Sequence, residues 1–264
     1  MYPVLFRIGD FEVTSFGVMV AFAALVGLWL FPRELRWSGL PLDATDAGLF
    51  GVIGGLVGAK LLWTVEHASD APVLELLLSR GGLSWYGGLI GGVGIGLAYI
   101  AFKRWPIVPI LAAATPALAF GHLIGRIGCF LVGDDYGTPS TLPWAVAFPD
   151  GLPPTTVPVH PTQLYEAIGL GLLGWVLIQW RRHGVPDATV LGRYLVSAGV
   201  LRFGIEFLRV NERVAFGLSV AHLVSLAVIA LGAWEWLQPP AAHAFMKSLP
   251  QKLNQLLSWA LSRV

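Results

Sequence analysis

Charged side chains are scarce in this sequence of 264 residues. Asp, Glu, Lys and Arg make up only 12% of it, whereas soluble domains carry about 25%. Hydrophobic residues reach 55%, and the mean hydropathy is +0.69. The composition therefore excludes an ordinary soluble domain and indicates a protein of the lipid bilayer. The net charge is only +1 and no Lys/Arg stripe alternates with aromatic residues, so we expect no nucleic-acid partner.

Cysteine is almost absent as well. Cys129 is the single one, which excludes an internal disulfide and a cysteine-based metal cage. No Walker-type loop and no Gly-x-Gly-x-x-Gly in a strand-to-helix context is present, so nucleotide binding lacks support. We therefore expect no cofactor and no metal.

Long apolar runs dominate the rest of the chain. Seven of them approach the ~20 residues that a spanning helix needs. They cover residues 13–31, 46–65, 84–102, 107–124, 162–180, 190–208 and 214–236. Asp10 and Glu12 precede the first run and disfavour a cleaved signal peptide, so this run is expected to be a retained helix. The predicted fold class is all-α: a polytopic membrane protein with about seven transmembrane helices and an external cap between helices 4 and 5.

The cap prediction rests on the connection from Gly133 to Val159, which contains six prolines and is too long for a simple turn between helices. The transmembrane domain is expected to span residues 1–238. Residues 239–264 follow as a separate C-terminal extension, in which leucines recur at helical spacing and predict an amphipathic surface helix.

Basic residues predict the orientation, because cytoplasmic loops are enriched in Lys and Arg. Ten lie on the side that would be cytoplasmic: Arg33, Arg36, Lys103, Arg104, Arg181, Arg182, Arg193, Lys247, Lys252 and Arg263. Five lie on the opposite side: Arg7, Arg80, Arg126, Arg209 and Arg213. The N-terminus is therefore expected outside and the C-terminus in the cytoplasm.

Polar groups from four segments are predicted to reach the outer membrane face together. They are Tyr86, His122, Arg126, His160, Gln163, Glu166, Arg202, Glu206 and Arg209. Arg202, Glu206 and Arg209 are spaced i, i+4 and i+7 along one helix stripe. An intrahelical salt bridge would explain them, but charges inside a membrane usually face a cavity and mark function. A net positive charge here would leave room for a phosphate or carboxylate.

Four motifs resemble those of the bacterial prolipoprotein diacylglyceryl transferase family, in order and spacing. They are Ser84–Gly91 (SWYGGLIG), Gly125–Phe130 (GRIGCF) with Gly133 and Gly137, His160–Glu166 (HPTQLYE) and Arg202–Arg209 (RFGIEFLR). The resemblance implies a seven-helix inner-membrane enzyme. Such an enzyme moves the diacylglyceryl group of phosphatidylglycerol to the lipobox cysteine thiol of a prolipoprotein signal peptide and releases glycerol 1-phosphate, the first step of lipoprotein maturation.

The resemblance also implies roles for individual residues. Arg126 would hold the phosphatidylglycerol head group, Arg202 would stabilise the departing phosphate, and Glu206 would orient the arginines. Arg209 would flank the substrate. Four further residues would shape the polar cavity or contact substrate: Glu166, His160, Asp134 and Gly137.

The sequence departs from the family pattern at two positions. Tyr86 stands where histidine is common, and a phenol, with its pKa near ~10, is a poor base at neutral pH. Tyr86 would bind the head group, be activated by a nearby arginine, or mark a diverged relative with weak activity; His122 and His160 are alternative proton acceptors. Cys129 replaces a common asparagine and is expected to be a buried small hydrophobe.

Two other classes of function remain open at this stage. A transporter for an anionic solute would also place arginines in a cavity, but it needs polar groups along both halves of the path, and only Lys60 and Thr64 accompany the outer cluster. A lipid-binding relative without catalysis is the third possibility, because of Tyr86.

Overall fold

The structure is a computed structural model that describes residues 2–9, 11–79 and 82–237. Helices dominate this part of the chain. They are α1 (Ser15–Trp37), α2 (Thr45–Glu66), α3 (Val73–Leu78), α4 (Trp85–Phe102), α5 (Ile107–Val132), α6 (Thr162–Arg182), α7 (Asp187–Glu206) and α8 (Val220–Leu237). A long helix thus occupies each predicted segment, and the all-α membrane fold class is confirmed.

Among the described residues, six helices are long and apolar enough to cross a membrane: α1, α2, α4, α5, α7 and α8, with α2 extended to start at Leu42. The long helix α6 is not one of them. It is less apolar because Gln163 and Glu166 lie near its start and Arg181 and Arg182 form its end. Seven spans therefore stay a prediction, as does the external position of the α5–α6 connection.

Two short hairpins, which the sequence did not predict, accompany the helices. Strands β1 (Val4–Ile8) and β2 (Phe11–Thr14) pair antiparallel directly before α1. The Thr14 hydroxyl caps α1 by accepting a hydrogen bond of 3.1 Å from the Gly17 amide. In the α5–α6 connection, β3 (Val146–Phe148) pairs with β4 (Thr155–Val159).

Helix α5 runs farther than its apolar pattern predicts. The expected end was residue 124, yet the helix continues through the Gly125–Phe130 motif to Val132. It ends at Gly133, whose φ of 77° is left-handed and whose amide donates to the Cys129 carbonyl at 2.8 Å. Arg126 consequently lies inside the helix, in its last two turns.

Helix α7 ends earlier than predicted, and α8 begins later. The last residue of α7 is Glu206, so Arg209 follows the helix and does not lie on its i+7 stripe; that expectation was wrong. Arg209 instead pairs through its backbone with Gly137 in the α5–α6 connection. Residues 214–219 form a tight turn in which Ala215 pairs with Leu218, and α8 starts only at Val220.

The glycines of α2 and α4 bring the two helices into backbone contact. A Cβ on Gly58 would lie 2.4 Å from the Gly87 carbonyl oxygen and 3.0 Å from the Gly91 Cα. No larger residue fits there without moving the helices apart. These two helices therefore form one tightly packed pair.

An ion-pair cluster at the opposite end of the bundle joins α1 to α6. Glu34 is fully buried, and its carboxylate accepts from Arg181 Nε at 2.8 Å and from Arg182 Nη2 at 2.6 Å. A buried carboxylate needs such partners, because an unpaired charge in this position would be strongly destabilising. The amphipathic extension predicted for residues 239–264 lies outside the described residues.

Candidate functional site

Six charged side chains form a closed ring in which positive and negative groups alternate. In order around the ring they are Asp135, Arg126, Glu166, Arg202, Glu206 and Arg209. They come from α5, α6, α7 and the segments that follow α5 and α7. The ring lies where α5 and α7 end and where α6 begins, so the helix directions of the fold bring together most of the charges that the sequence placed on one face.

The first half of the ring surrounds Arg126. Its Nη1 donates to Asp135 Oδ2 at 2.8 Å, and its Nε lies 2.9 Å from Glu166 Oε2. The same Glu166 oxygen lies 3.6 Å from Arg202 Nη1. Glu166 therefore bridges two arginines, and its side chain is only 2% exposed.

The second half surrounds Glu206. Arg202 Nη2 lies 2.7 Å from Glu206 Oε2, and Arg209 Nε lies 3.9 Å from the same oxygen. Arg209 closes the ring by donating through Nη2 to Asp135. Glu206 was predicted to pair with either arginine, and it contacts both.

The charges of the ring cancel, since it contains three arginines and three carboxylates. The net positive charge expected for Arg202, Glu206 and Arg209 is offset in the ring, because Asp135 and Glu166 also face the arginines. Even so, donors remain without an aligned acceptor. Arg126 Nε, Arg202 Nη1 and Arg209 Nε are buried and have no hydrogen-bond partner among the described residues. An anion with several oxygens could use them.

The Glu206 oxygen that faces away from the arginines accepts hydrogen bonds from residues outside the sequence motifs. This oxygen, Oε1, accepts from the Ser219 hydroxyl and from Asn211 Nδ2, each at 2.6 Å. The Ser219 hydroxyl lies 3.0 Å from Nδ1 of His222, a fully buried side chain that also lies 3.2 Å from Arg213 Nη1. Asn211, Arg213 and Ser219 lie between α7 and α8, and His222 lies in the first turn of α8. No periodic pattern connects them, so only the three-dimensional structure shows their convergence.

Tyr86 lies in the first turn of α4 and is half-buried. Arg202, Glu206 and Arg209 are near enough to act on its phenol electrostatically. Its hydroxyl makes no hydrogen bond with another described residue. The nearby His122 lies on α5 with Nε2 3.5 Å from Glu166 Oε1. The structure thus brings Tyr86 and His122 to the ring, as the helix directions predicted.

His160, Asp134 and Gly137 are not members of the ring. His160 Nδ1 lies 3.3 Å from the Tyr165 hydroxyl, which accepts from Trp144 Nε1 at 2.7 Å. The Asp134 carbonyl accepts from the Gln163 side chain. These three residues shape the α5–α6 connection beside the ring, and a direct contact with substrate stays a prediction.

Gly137 fixes how this connection packs against the end of α7. Its amide donates to the His160 carbonyl at 2.9 Å. A Cβ at this position would lie 2.6 Å from the Leu208 carbonyl oxygen and 2.8 Å from Thr162 Cγ2. The position therefore admits only glycine, and through it the connection holds Asp135 next to Arg209.

The two adjacent aspartates differ in their acidity. Partial burial alone would raise the pKa of Asp135, but Arg209 and Arg126 outweigh it and hold the pKa below its ordinary value. Burial and the neighbouring Asp135 charge raise the pKa of Asp134. Asp135 is therefore firmly ionised at neutral pH.

Cys129, Asp134 and Asp135 bring possible metal-ligand atoms within 4.8 Å of one another. The chemistry of this group does not favour a cation, because Arg126 and Arg209 already bind the Asp135 carboxylate. Cys129 is free and buried, as expected for a small hydrophobic residue.

An apolar cavity of about 560 Å³ lies between α1, α2, α4 and α5. Its walls are aliphatic and glycine residues, among them Val20, Gly51 and Leu118. At one end it reaches His122 and Gly125, the latter adjacent to Arg126 in the chain. The charged ring and a long apolar cavity are thus neighbours.

Comparison with known proteins agrees with this geometry. The family model described as prolipoprotein diacylglyceryl transferase matches residues 3–238. A phosphatidylglycerol–prolipoprotein diacylglyceryl transferase of Clostridium tetani is 33% identical over 239 residues, which cover 88% of this chain and 95% of that protein. Proteins of the same name from Nitratidesulfovibrio vulgaris and Idiomarina loihiensis are 31% identical over 247 residues and 33% identical over 242 residues. They cover 88% and 87% of this chain, and 91% and 90% of their own lengths. A match over nearly the whole chain, with its motifs at the charged ring, shows that the chain belongs to the prolipoprotein diacylglyceryl transferase family.

Proposed function

We propose that this protein transfers the diacylglyceryl group of phosphatidylglycerol to the lipobox cysteine thiol of a prolipoprotein signal peptide and releases glycerol 1-phosphate. The observation that carries the proposal is the arginine ring beside a long apolar cavity. A phospholipid has the same division: an anionic phosphate joined to two acyl chains. The cavity receives acyl chain, while the arginines face the phosphate.

The reaction requires positive charge at the leaving group. The cysteine sulfur attacks C3 of the diacylglycerol moiety, and the bond between C3 and the phosphate oxygen breaks. The electron pair stays on that oxygen, which leaves as part of glycerol 1-phosphate, and the thiol proton passes to solvent or to a nearby base. Fixed donors stabilise the charge that develops on the phosphate.

The arginines divide this work according to their position. Arg126, whose side chain is 8% exposed and paired on two sides, anchors the head group. Arg202 is 21% exposed, and its Nη1 lies 3.6 Å from Glu166 without a hydrogen bond to a described residue, which suits it to the departing phosphate. Glu206 orients Arg202 and Arg209 from one carboxylate oxygen. Tyr86 contacts the head group from α4.

The protein is a multi-pass membrane protein, and we place it in the bacterial inner membrane with its N-terminus outside and its C-terminus in the cytoplasm. The excess of basic residues on one side supports this orientation. The ring then lies toward the outer leaflet, the side on which the signal peptide of an exported prolipoprotein presents its cysteine.

The test is an assay with purified protein, phosphatidylglycerol and a synthetic lipobox peptide, followed by mass spectrometry of the peptide. We expect a diacylglyceryl thioether and an equimolar amount of glycerol phosphate. A peptide with serine in place of the lipobox cysteine is the control and should stay unmodified. Binding of phosphatidylglycerol without any thioether product would instead indicate a non-catalytic lipid-binding protein and overturn the proposal.

A further inference from the structure

Asp135 differs from the other two carboxylates of the ring in its exposure. Its side chain is 42% exposed, whereas those of Glu166 and Glu206 are 2% and 0% exposed. It also belongs to the connection after α5 and not to a long helix. Of the three carboxylates it is the one that can be replaced by an incoming anion without unpacking a helix.

The contacts of Asp135 are those that a phosphate would make. One carboxylate oxygen accepts from Arg126 Nη1 at 2.8 Å, and the other accepts from Arg209. Each oxygen thus accepts a charge-assisted hydrogen bond from a different guanidinium, and arginine makes such bonds with carboxylate and phosphate alike. The Asp135 carboxylate therefore occupies a position between two arginines that could bind another anion.

The backbone of Asp135 holds it there. Its φ is +60°, a left-handed conformation that non-glycine residues seldom adopt, apart from Asn and Asp. The Thr162 hydroxyl donates to the Asp135 carbonyl at 2.8 Å and ties this backbone to the start of α6. The side chain can turn away into solvent while its main chain stays fixed.

Charge balance favours a particular exchange. With Asp135 in place the ring is neutral, and without it the ring carries one net positive charge. A phosphodiester such as phosphatidylglycerol bears one negative charge and restores neutrality when it takes the place of the carboxylate. A phosphate monoester carries about −1.5 to −2 at pH 7, so it leaves the ring with an excess of negative charge.

Building on the proposed function, we propose that Asp135 is an internal competitor of the lipid phosphate. Its carboxylate yields the position between Arg126 and Arg209 to phosphatidylglycerol. It returns after the reaction and displaces the more highly charged glycerol 1-phosphate. Asp135 thereby sets the affinity of the site for anions and favours the release of product.

The experiment compares wild type with Asp135→Asn, a change of charge in the same shape; asparagine also tolerates a left-handed backbone. Calorimetry measures binding of glycerol 1-phosphate, and the transferase assay gives KM for phosphatidylglycerol and kcat. We expect about a tenfold tighter binding of glycerol 1-phosphate and a lower KM, because buried arginines lose a competing anion. The variant should also show stronger inhibition by product. Asp150→Asn, an exposed aspartate in the same connection, is the matched control and should behave as wild type.

Unchanged or weaker binding of glycerol 1-phosphate by Asp135→Asn would overturn the competitor role, whatever the transferase activity. Asp135→Glu, which keeps the charge, should retain the weaker anion binding of wild type; tighter binding by this variant would also contradict the proposal. Calorimetry does not depend on turnover. A wild type that forms no thioether product would therefore refute the proposed reaction and leave the anion competition to be judged separately.

Discussion

At the scale of single residues, two buried arginines and one partly buried arginine are stable here because three carboxylates alternate with them. Each guanidinium contacts two acidic side chains, and each carboxylate contacts two arginines. Isolated charges at such depth would be costly, whereas a closed ring compensates all of them. Because the ring is neutral, a lipid phosphate can bind the arginines only if one carboxylate leaves them. The affinity for the phosphate therefore depends on which carboxylate leaves.

Ser219 is expected to act on catalysis only through Glu206. Replacing Ser219 with alanine removes one of the two hydrogen bonds to Glu206 Oε1. Hydrogen bonds to charged groups contribute about 1.5–3 kcal/mol, so kcat should fall by about tenfold or more. KM for phosphatidylglycerol should change little, because the arginines that anchor the phosphate are untouched.

The control for this prediction is Ser225→Ala on α8, the helix that begins directly after Ser219. Ser225 is also buried, but its hydroxyl donates to the Ala221 carbonyl at 2.7 Å and has no contact with the ring. Ser219→Thr, which keeps the hydroxyl, should restore most of the rate. Equal losses in both alanine variants, without rescue by threonine, would show a general packing effect instead.

Tyr86 is expected to contribute a head-group contact and not a base. Tyr86→Phe should raise KM for phosphatidylglycerol by about three- to tenfold, the value of one neutral hydrogen bond, with a smaller effect on kcat. Tyr86→His should not increase kcat. Tyr99→Phe, at the other end of α4, is the control. A rise in kcat with histidine would mean that the native site lacks a base that the reaction needs.

At the scale of elements, the ends of α5 and α7 determine the site. Helix α5 extends past its apolar run to Val132, which places Arg126 inside a regular helix. Helix α7 stops at Glu206, which frees Arg209 to turn toward the α5–α6 connection. Gly137 is the point where this connection touches the segment after α7.

Gly137→Ala should therefore push the α5–α6 connection away from the segment that follows α7 and disrupt the ring. The added methyl group would lie 2.6 Å from the Leu208 carbonyl oxygen. Overpacking of this kind costs about 1–3 kcal/mol, and we expect a lower melting temperature together with lost transferase activity. Gly94→Ala is the control, because a Cβ there meets no atom within 4 Å. If Gly137→Ala kept full activity and stability, the close packing of Gly137 against Leu208 would be contradicted.

At the scale of the whole molecule, the sequence predicts the helical architecture well and the details of the site only in part. Apolar length and helix direction were sufficient to bring Arg126, Glu166 and Arg202 to one end of the bundle. Contacts between residues that are far apart in the chain produce no comparable pattern in the sequence. The pair of Glu34 and Arg181, 147 positions apart, and the contact of Asp135 with Arg209 depend on how helices and loops pack.

The proposed orientation can be tested on intact cells. Cys129 is buried, so single-cysteine probes at exposed sites would dominate labelling by a membrane-impermeant maleimide. We expect Asp150→Cys to be labelled from outside and Arg36→Cys to be labelled only after lysis. Both positions are exposed in the structure. The reverse pattern would contradict an outward-facing N-terminus.

The most direct test of the arginine site is the rate of thioether formation by Arg126→Ala. Arg126 touches both Asp135 and Glu166 and lies beside the apolar cavity. Loss of a preorganised donor to a developing anion lowers rates by about 10²–10³, so we expect at least a hundredfold loss of activity. Arg36→Ala, an exposed arginine remote from the ring, should keep the wild-type rate. Thioether formation by Arg126→Ala at the wild-type rate would contradict the role of this ring in binding the lipid phosphate.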